Sequence, residues 1–514
     1  MAACHGGFAE QVQSGLAFQL PQESLEIPGT MHGMNEIAAS GAKPAGWALW
    51  RAELTETVRL AWPIALTQLS HVAMMTTDLA LVGRLGGDAI AAAALAQIIL
   101  FATFVLGMGL VSAVSPLAAQ AFGARQPRMV RRALRVGLWA ATLLGIPLSI
   151  GQLWGEDILL ALGQQPKAAA LASEYLRGLA WSLIPAWWFI AIRGFMGAVN
   201  KPEPALWITI GAIPLNFMLA YALIFGAFGF PRLDMLGAGI ATTIVNLAMC
   251  VVALWICYRS QPFKKYQVLG RFWRFDSELM KKLVVIGLPI SAMFLLEYGL
   301  FGAAGIVMGW IGANALAAHQ IALQIASIMF MIPFGISMAA TVRVGQEVGR
   351  RDAAAARRAG FVAIGLGAAF MAVMTVAAAL GRDVIPLLFI DSGAAGAQEI
   401  MALASFLLVI GATFFIADGV QTVAAGALRG LNDTRIPLLF SAISFWLVGF
   451  SSVYVLAFPL KFGINGVWIG FTIGLLLYAT LLVWRFHALM SRGYMPEVTK
   501  VETAFRKAKP LPAK

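Results

Sequence analysis

An all-α polytopic membrane protein, with twelve transmembrane helices in two pseudo-symmetric six-helix lobes, is the fold this sequence predicts. Three observations lead there. The 514 residues are 60% hydrophobic and only 12% charged, with a mean hydropathy of +0.79; a soluble chain carries about twice that charged share. The apolar stretches are continuous, and many exceed the ~20 residues needed to cross a bilayer, which excludes the alternating pattern of a transmembrane β-barrel. The second half of the chain also repeats the first.

Taken in order, residues 1–45 carry scattered Gly, Ser and Gln without periodicity. They lack the basic start and apolar run of a signal peptide, so a disordered N-terminal extension is expected, with Met31 and Met34 as alternative starts. Spans one to six, roughly 60–82, 89–113, 133–153, 173–198, 205–228 and 237–258, make an N-lobe over 46–258. The stretch 259–282 links the lobes. Its mixture of aromatic and basic residues suits a segment along the membrane surface, and equally a plain linker. Spans seven to twelve, roughly 283–310, 315–342, 360–380, 401–428, 436–459 and 466–486, make a C-lobe over 283–490. A basic tail, 491–514, follows. Loops 124–135 and 350–358 read as matched basic, helix-prone segments.

The net charge of +12 would suit a nucleic-acid binder, but its distribution says otherwise. With the N-terminus in the cytoplasm, the outer side receives only Arg84, Lys167, Arg177, Arg232, Arg382 and Lys461, and the inner side the other 31 of 37 Lys and Arg. This is the positive-inside rule, and it places both termini in the cytoplasm. Nucleic acid is not an expected partner. Cys250 and Cys257, on one helical face of span six, read as small packing residues rather than a disulfide or metal site.

A shift of 226 residues places Pro63-Ile64 on Pro289-Ile290, Gly83 on Gly309 and Gly86 on Gly312. It also places Gly109 on Gly335, Gln120 on Gln346, Gly123 on Gly349, and Arg131-Arg132 on Arg357-Arg358. Glycine permits close helix approach and proline breaks the backbone ladder at a fixed level. Six spans per half keep both halves in the same orientation, a parallel repeat suited to alternating access around a midplane cavity.

Three acids stand inside this duplicated frame. Glu297 and Asp418 lie near the middle of spans seven and ten, and Asp78 nearer one end of span one. An acid at bilayer depth costs roughly 2.5 to 3.5 kcal/mol by insertion scales, and marks a path for ions, protons or substrate. At the shift of 226 they face His71, Ile192 and Ala304 respectively for Glu297, Asp418 and Asp78. The scaffold is duplicated but the acids are not, so symmetric packing does not require them.

Helical spacing supplies their company. Thr67, His71, Met74 and Asp78 form one stripe on span one. Met293, Glu297 and Phe301 stack on span seven, Gln320, Gln324 and Ser327 on span eight, and Phe414, Asp418, Gln421 and Thr422 on span ten. Carboxylates, aromatic rings and deformable Met side chains suit flat, amphipathic cations; the Met and Phe positions serve equally as core or lipid contacts. His71 and His319 read as hydrogen-bonded packing residues. There is no GxxxxGK[ST] loop, no HExxH and no CxxC pair, so neither an ATP-driven pump nor an enzyme is expected, and energy must come from an ion gradient or a partner.

Residues 55–490 resemble the multidrug and toxic compound extrusion (MATE) family, and within it the bacterial NorM-type branch. The resemblance rests on PIALTQLSHVAMMTTDLALVGRLGGDAIAAAALA, GLPISAMFLLEYGLF and FFIADGVQTVAAGALRGLNDTRIP, with GAVNKPEP and GAFGFPRLDMLGAGIAT in the first half. It implies antiport of organic cations against Na+ or H+ across the bacterial inner membrane, by a monomer among membrane lipids and without a bound cofactor. Glu297 and Asp418 match the family's coupling-ion pair, with Na+ the preferred ion there, and Asp78 its N-lobe titrating acid. The surrounding N-lobe polar shell is not carried over; Asn216 matches it only in part. A carboxylate among oxygen neighbours suits Na+, and one with few suits H+. Two other readings stay open at this point: a flippase for lipid-linked saccharides, which would favour cationic residues in the cavity, and a channel, which needs no counter-ion.

Overall fold

The structure, a computed structural model, describes residues 46–389 and 397–496. The expected extension 1–45 lies outside the described residues, as does 497–514 of the basic tail. Glu53–Lys514 is one compact unit; of Met1–Ala52, residues 46–52 are the first turns of a helix. The regular elements among the described residues are helical.

The N-lobe holds α1 (Gly46–Gly83), α2 (Gly87–Gly123), α3 (Pro127–Gln152), α4 (Pro166–Ala198), α5 (Glu203–Phe225) and α6 (Asp234–Arg259). The C-lobe holds α7 (Ser277–Ile311), α8 (Ala313–Arg350), α9 (Ala353–Leu380), α10 (Ala397–Gly430), α11 (Arg435–Ala457) and α12 (Gly463–Ser491). Ten of these are long and apolar enough to cross a membrane, and α10, whose halves meet at 50°, is an eleventh. Helix α1 is more polar because Thr67, Gln68, Ser70, His71, Thr76, Thr77 and Asp78 interrupt its apolar run. Several helices overrun the hydrocarbon-sized stretches read from sequence. Loops 124–135 and 350–358 are largely the turns that open α3 and α9, the latter capped by Asp352, which accepts from Ala355 N at 2.8 Å.

Between the lobes, residues 259–282 dock on the N-lobe. Phe263 and Val268 are buried. Trp139 of α3 donates to Phe272 O at 2.9 Å, and Arg135 to Arg271 O at 3.1 Å. Asp276 caps α7 by accepting from Leu279 N and pairs with Arg132 of α3. Phe272 packs on Trp139 in this way, while Trp273 and Phe275 remain exposed.

One apolar core runs through both lobes, and a second, around Leu81, Ala92, Leu176, Leu223 and Met235, fills the end of the N-lobe away from the basic loops. The loops rich in Lys and Arg define a basic face; the other end of the bundle is called here the opposite face. The lobes meet through glycines of the repeat. A Cβ on Gly109 of α2 would strike the Ser291 backbone of α7, and one on Gly335 of α8 would strike Ala65 of α1. Ala65 and Ser291 are themselves 226 apart, so the two contacts are images of each other. Ser291 Oγ donates to Leu106 O at 2.6 Å at the same level.

The repeat does not keep one offset throughout. Asn200 and Asn432 occupy matching left-handed turns after α4 and α10, with φ 59° and 58°, and lie 232 apart. The added residues fall between α9 and α10. Asp418 therefore aligns with Ala186 rather than Ile192, and the acid remains unduplicated.

Candidate functional site

In the C-lobe, α7 and α10 bring the two central acids together. Gln421 Nε2 donates to Glu297 Oε1 at 2.8 Å and to Asp418 Oδ1 at 3.1 Å. The two oxygens are thus no further apart than those two bonds laid end to end. Asp418, Gln421 and Thr422 are buried, and the Thr422 hydroxyl has no hydrogen-bond partner. Charge buried this way is costly unless shared with a proton, a metal ion or an organic cation.

Phe301 and Phe414, one helical turn from Glu297 and Asp418, belong to an aromatic cluster. The Phe301 ring stands 6.2 Å from Phe414 and 5.4 Å from Phe471, and Phe414 stands 5.3 Å from Trp468. One turn from Glu297, Phe294 carries the Arg429 guanidinium over its face at 5.0 Å. Met293 is buried and accepts from the Tyr478 hydroxyl at 3.4 Å. Part of α11 is a π-helix, Ala442–Phe450, from which Trp446 Nε1 donates to Leu296 O at 3.1 Å, beside Glu297. Such local widening recurs at functional sites.

In the N-lobe, Asp78 Oδ2 accepts from Thr242 Oγ1 of α6 at 3.2 Å. Asn216 of α5 lies beside the same carboxyl, fully buried, with no other partner for its amide among the described residues. Nearer the basic face, Arg193 of α4 is buried and donates to Gln68 of α1. His71 meets Phe189 edge-on at 6.2 Å.

The remaining residues singled out from sequence divide by exposure. Gln320 and Gln324, with Ser327, line an exposed polar strip of α8. Thr67 is buried, and its hydroxyl donates to Pro63 O of its own helix at 2.7 Å, so it offers nothing to a cavity. Met74, Met293 and Phe414 are core side chains here. His319, read as hydrogen-bonded, is fully buried against Trp468 and Phe471 with neither nitrogen partnered. Thr242, Trp446 and Tyr478 were not anticipated; an uncharged side chain in a membrane helix carries no sequence signal of its own. A groove of about 810 Å³ between α5 and α6, lined by Lys201, Glu203, Trp207 and Phe263 among others, contains none of the three acids.

Comparison with known proteins gives this arrangement a family. The family model MatE matches residues 63–222 and 289–455, once in each lobe. "Probable multidrug resistance protein NorM" of Rhodopseudomonas palustris is 61% identical, over 91% of this chain and 97% of that protein. A protein of the same name from Bradyrhizobium diazoefficiens is 56% identical, over 86% and 94%. Among solved structures, the outward-facing conformation of a multidrug resistance MATE family transporter of the MOP superfamily overlays with a TM-score of 0.77 at 22% identity, covering 88% of this chain and 99% of that one. The eukaryotic MATE transporter AtDTX14 overlays with a TM-score of 0.77 at 22% identity, over 87% and 99%. At such identities the structures speak for the fold, and the curated relatives carry the membership: the chain belongs to the MatE family, in its bacterial NorM-type branch of multi-pass membrane transporters.

Proposed function

We propose that this transporter exports organic cations by antiport against Na+ or H+, with Glu297 and Asp418 as the coupling-ion pair and Asp78 as a second ion-linked acid. The observation that carries the reading is the single Gln421 amide holding both carboxylates within hydrogen-bond reach at membrane depth. Two such anions cannot both stand unneutralised in a low-dielectric interior. Arrival of an inorganic cation at the pair displaces an organic one, and this exclusion is the coupling. The multidrug resistance named for the curated relatives supports the substrate class, as does the partly exposed Phe301 ring one turn from Glu297. No cluster of three or more His, Cys, Asp or Glu able to hold a metal occurs among the described residues. Na+, if it is the coupling ion, is cargo, held by the two carboxylates with uncharged oxygens.

On this reading the basic face is cytoplasmic, both termini lie there, and a monomer in the inner membrane works without a cofactor. The exposed Gln320, Gln324 and Ser327 then face a path open to the outside. Arg193 and Arg429, the cations nearest the cavity, are engaged by Gln68 and the Phe294 ring, which favours cationic over phosphate-bearing substrates. The test is efflux of a cationic dye from proteoliposomes under an imposed Na+ or H+ gradient. Native protein responds to one gradient; Glu297→Gln and Asp418→Asn each lose the response. Normal gradient-driven efflux from both variants overturns the assignment.

A further inference from the structure

The basic-face ends of the lobes are joined by a reciprocal set of contacts. Gln120 of α2 donates from Nε2 to Gly430 O of α10 at 2.9 Å, and its Oε1 accepts from Asn432 Nδ2 at 2.9 Å. Gln346 of α8 donates from Nε2 to Ala198 O at 3.0 Å and to Asn200 Oδ1 at 2.8 Å, at the end of α4. Each glutamine thus reaches from its own lobe to the helix end of the other. The backbones touch equally closely: a Cβ on Gly123 would strike Gln346 O, and one on Gly349 would strike Gln120 O. Both glutamines are buried.

One element breaks the reciprocity. Arg343 of α8 holds Glu53 of α1 through two bonds, Nε to Oε1 at 2.9 Å and Nη2 to Oε2 at 2.8 Å, and donates from Nη1 to Gln346 Oε1 at 3.2 Å. All three side chains are buried. A shift of 226 carries Arg343 onto Leu117 and Glu53 onto Leu279, and those two leucines line one small cavity beside Gln120. The same junction therefore carries an ion pair on one side of the pseudo-axis and apolar side chains on the other.

From this we infer that Gln120, Gln346 and the Glu53–Arg343 pair form the gate that shuts the basic-face end of the transport path, and that they must part for the lobes to open there. The inference rests on the alternating-access part of the proposed function. Polar contacts suit a gate. Amides and ions rehydrate when the junction opens, whereas a purely apolar seam would expose its surface to water. A buried ion pair adds little net stability for its desolvation but fixes one register of contact. The glutamines set where the lobes meet, and the ion pair sets how firmly.

The asymmetry supplies the experiment. Spin labels at Arg128→Cys and Ala354→Cys, exposed positions at the starts of α3 and α9, report the separation of the lobes by pulsed dipolar spectroscopy. The full chain is used in lipid nanodiscs, with Cys4, Cys250 and Cys257 replaced by Ala. Arg343→Leu alone strands the buried Glu53, and Glu53→Leu leaves Arg343 only its longer pair with Glu347 at 3.6 Å; each should raise the long-distance fraction, Arg343→Leu about tenfold or more. The double variant Glu53→Leu with Arg343→Leu, which copies Leu117 and Leu279, should return the distances to native. Unchanged distances in both single variants overturn the gate, as does a double variant more open than either. If the single variants do not insert, Gln120→Asn and Gln346→Asn shorten the reach without changing charge and should widen the distances likewise; native distances there overturn it. The readout needs neither dye nor gradient, so failure of the gate and failure of ion-coupled efflux are separate results.

Discussion

Gln421 Nε2 donates to Glu297 Oε1 across 2.8 Å, tying α10 to α7 at the level of the acid pair. The same nitrogen serves Asp418 at 3.1 Å. A hydrogen bond to a charged group contributes about 1.5–3 kcal/mol, and here one donor supports two anions. Without it the carboxylates hold a cation more tightly and release it more slowly. For Gln421→Leu we expect the half-saturating concentration of the coupling ion to fall roughly tenfold, with slower dye efflux. Efflux titrated against the ion in proteoliposomes measures this. An unchanged half-saturation leaves the amide no part in ion binding.

Asp78 draws on a different lobe and a weaker shell. Thr242→Val keeps the shape of the side chain and deletes the donor at 3.2 Å, a loss of about 1 kcal/mol or roughly fivefold. As with Gln421→Leu, we expect that variant to reach half-maximal efflux at a lower ion concentration, and Asp78→Asn to lose the response to the ion. Equilibrium binding of the dye, read by fluorescence, should stay native in both, because the proposed substrate site is at Glu297 and Asp418 in the other lobe. Loss of dye binding in Thr242→Val would move Asp78 into the substrate site.

The acids stood out because a carboxylate in an apolar run is costly to place there, and Gln421 followed from its place three residues after Asp418. The glycines of the repeat were legible as repeats. That Gly109 and Gly335 press on Ser291 and Ala65 was not, since a sequence does not say which helix stands opposite. Thr67 illustrates a second blind spot: plotting a helix face cannot show a hydroxyl turned back to the carbonyl four residues earlier. Thr242 reaches Asp78, and Trp446 the Leu296 carbonyl beside Glu297, from other helices, and neither carries a charge to flag it. The alignment of Asp418 with Ile192 failed for a plain reason. The extra residues between α9 and α10 change the offset, and a gapless shift cannot register them.

Asp276 does two things at the start of α7, capping Leu279 N at 3.2 Å and pairing with Arg132 of α3. Its side chain is 9% exposed and that of Arg132 26%. Loss of a cap costs about 1 kcal/mol, and the partly exposed pair adds no more than about 1 kcal/mol. Asparagine caps as well as aspartate but carries no charge. The melting temperature of the purified protein should therefore fall in the order native, Asp276→Asn, Asp276→Ala. An asparagine variant as labile as the alanine one would assign the whole effect to the ion pair; one matching native would assign it to the cap.

Packing of α4 against α6 sets the Asp78 site from behind. A Cβ on Gly239 would meet Tyr175 O at 2.6 Å and Gly178 Cα at 2.8 Å, so the two backbones are in contact. Thr243 Oγ1 donates to Gly178 O at 2.6 Å in the same seam, which turns its neighbour Thr242 toward Asp78. Overpacking such a contact costs typically 1–3 kcal/mol, and the two backbones must move apart. Gly239→Ala should lower the melting temperature and, by drawing Thr242 from Asp78, reproduce the ion dependence of Thr242→Val. Combining the two should add little further loss of efflux, because both act through one hydrogen bond. Gly305→Ala on α7 is the control, since a Cβ there meets nothing within 4 Å and the substitution is expected to be neutral or slightly stabilising. Fully additive losses in the Gly239→Ala, Thr242→Val double variant would separate the seam from the site and leave Gly239 a packing residue alone.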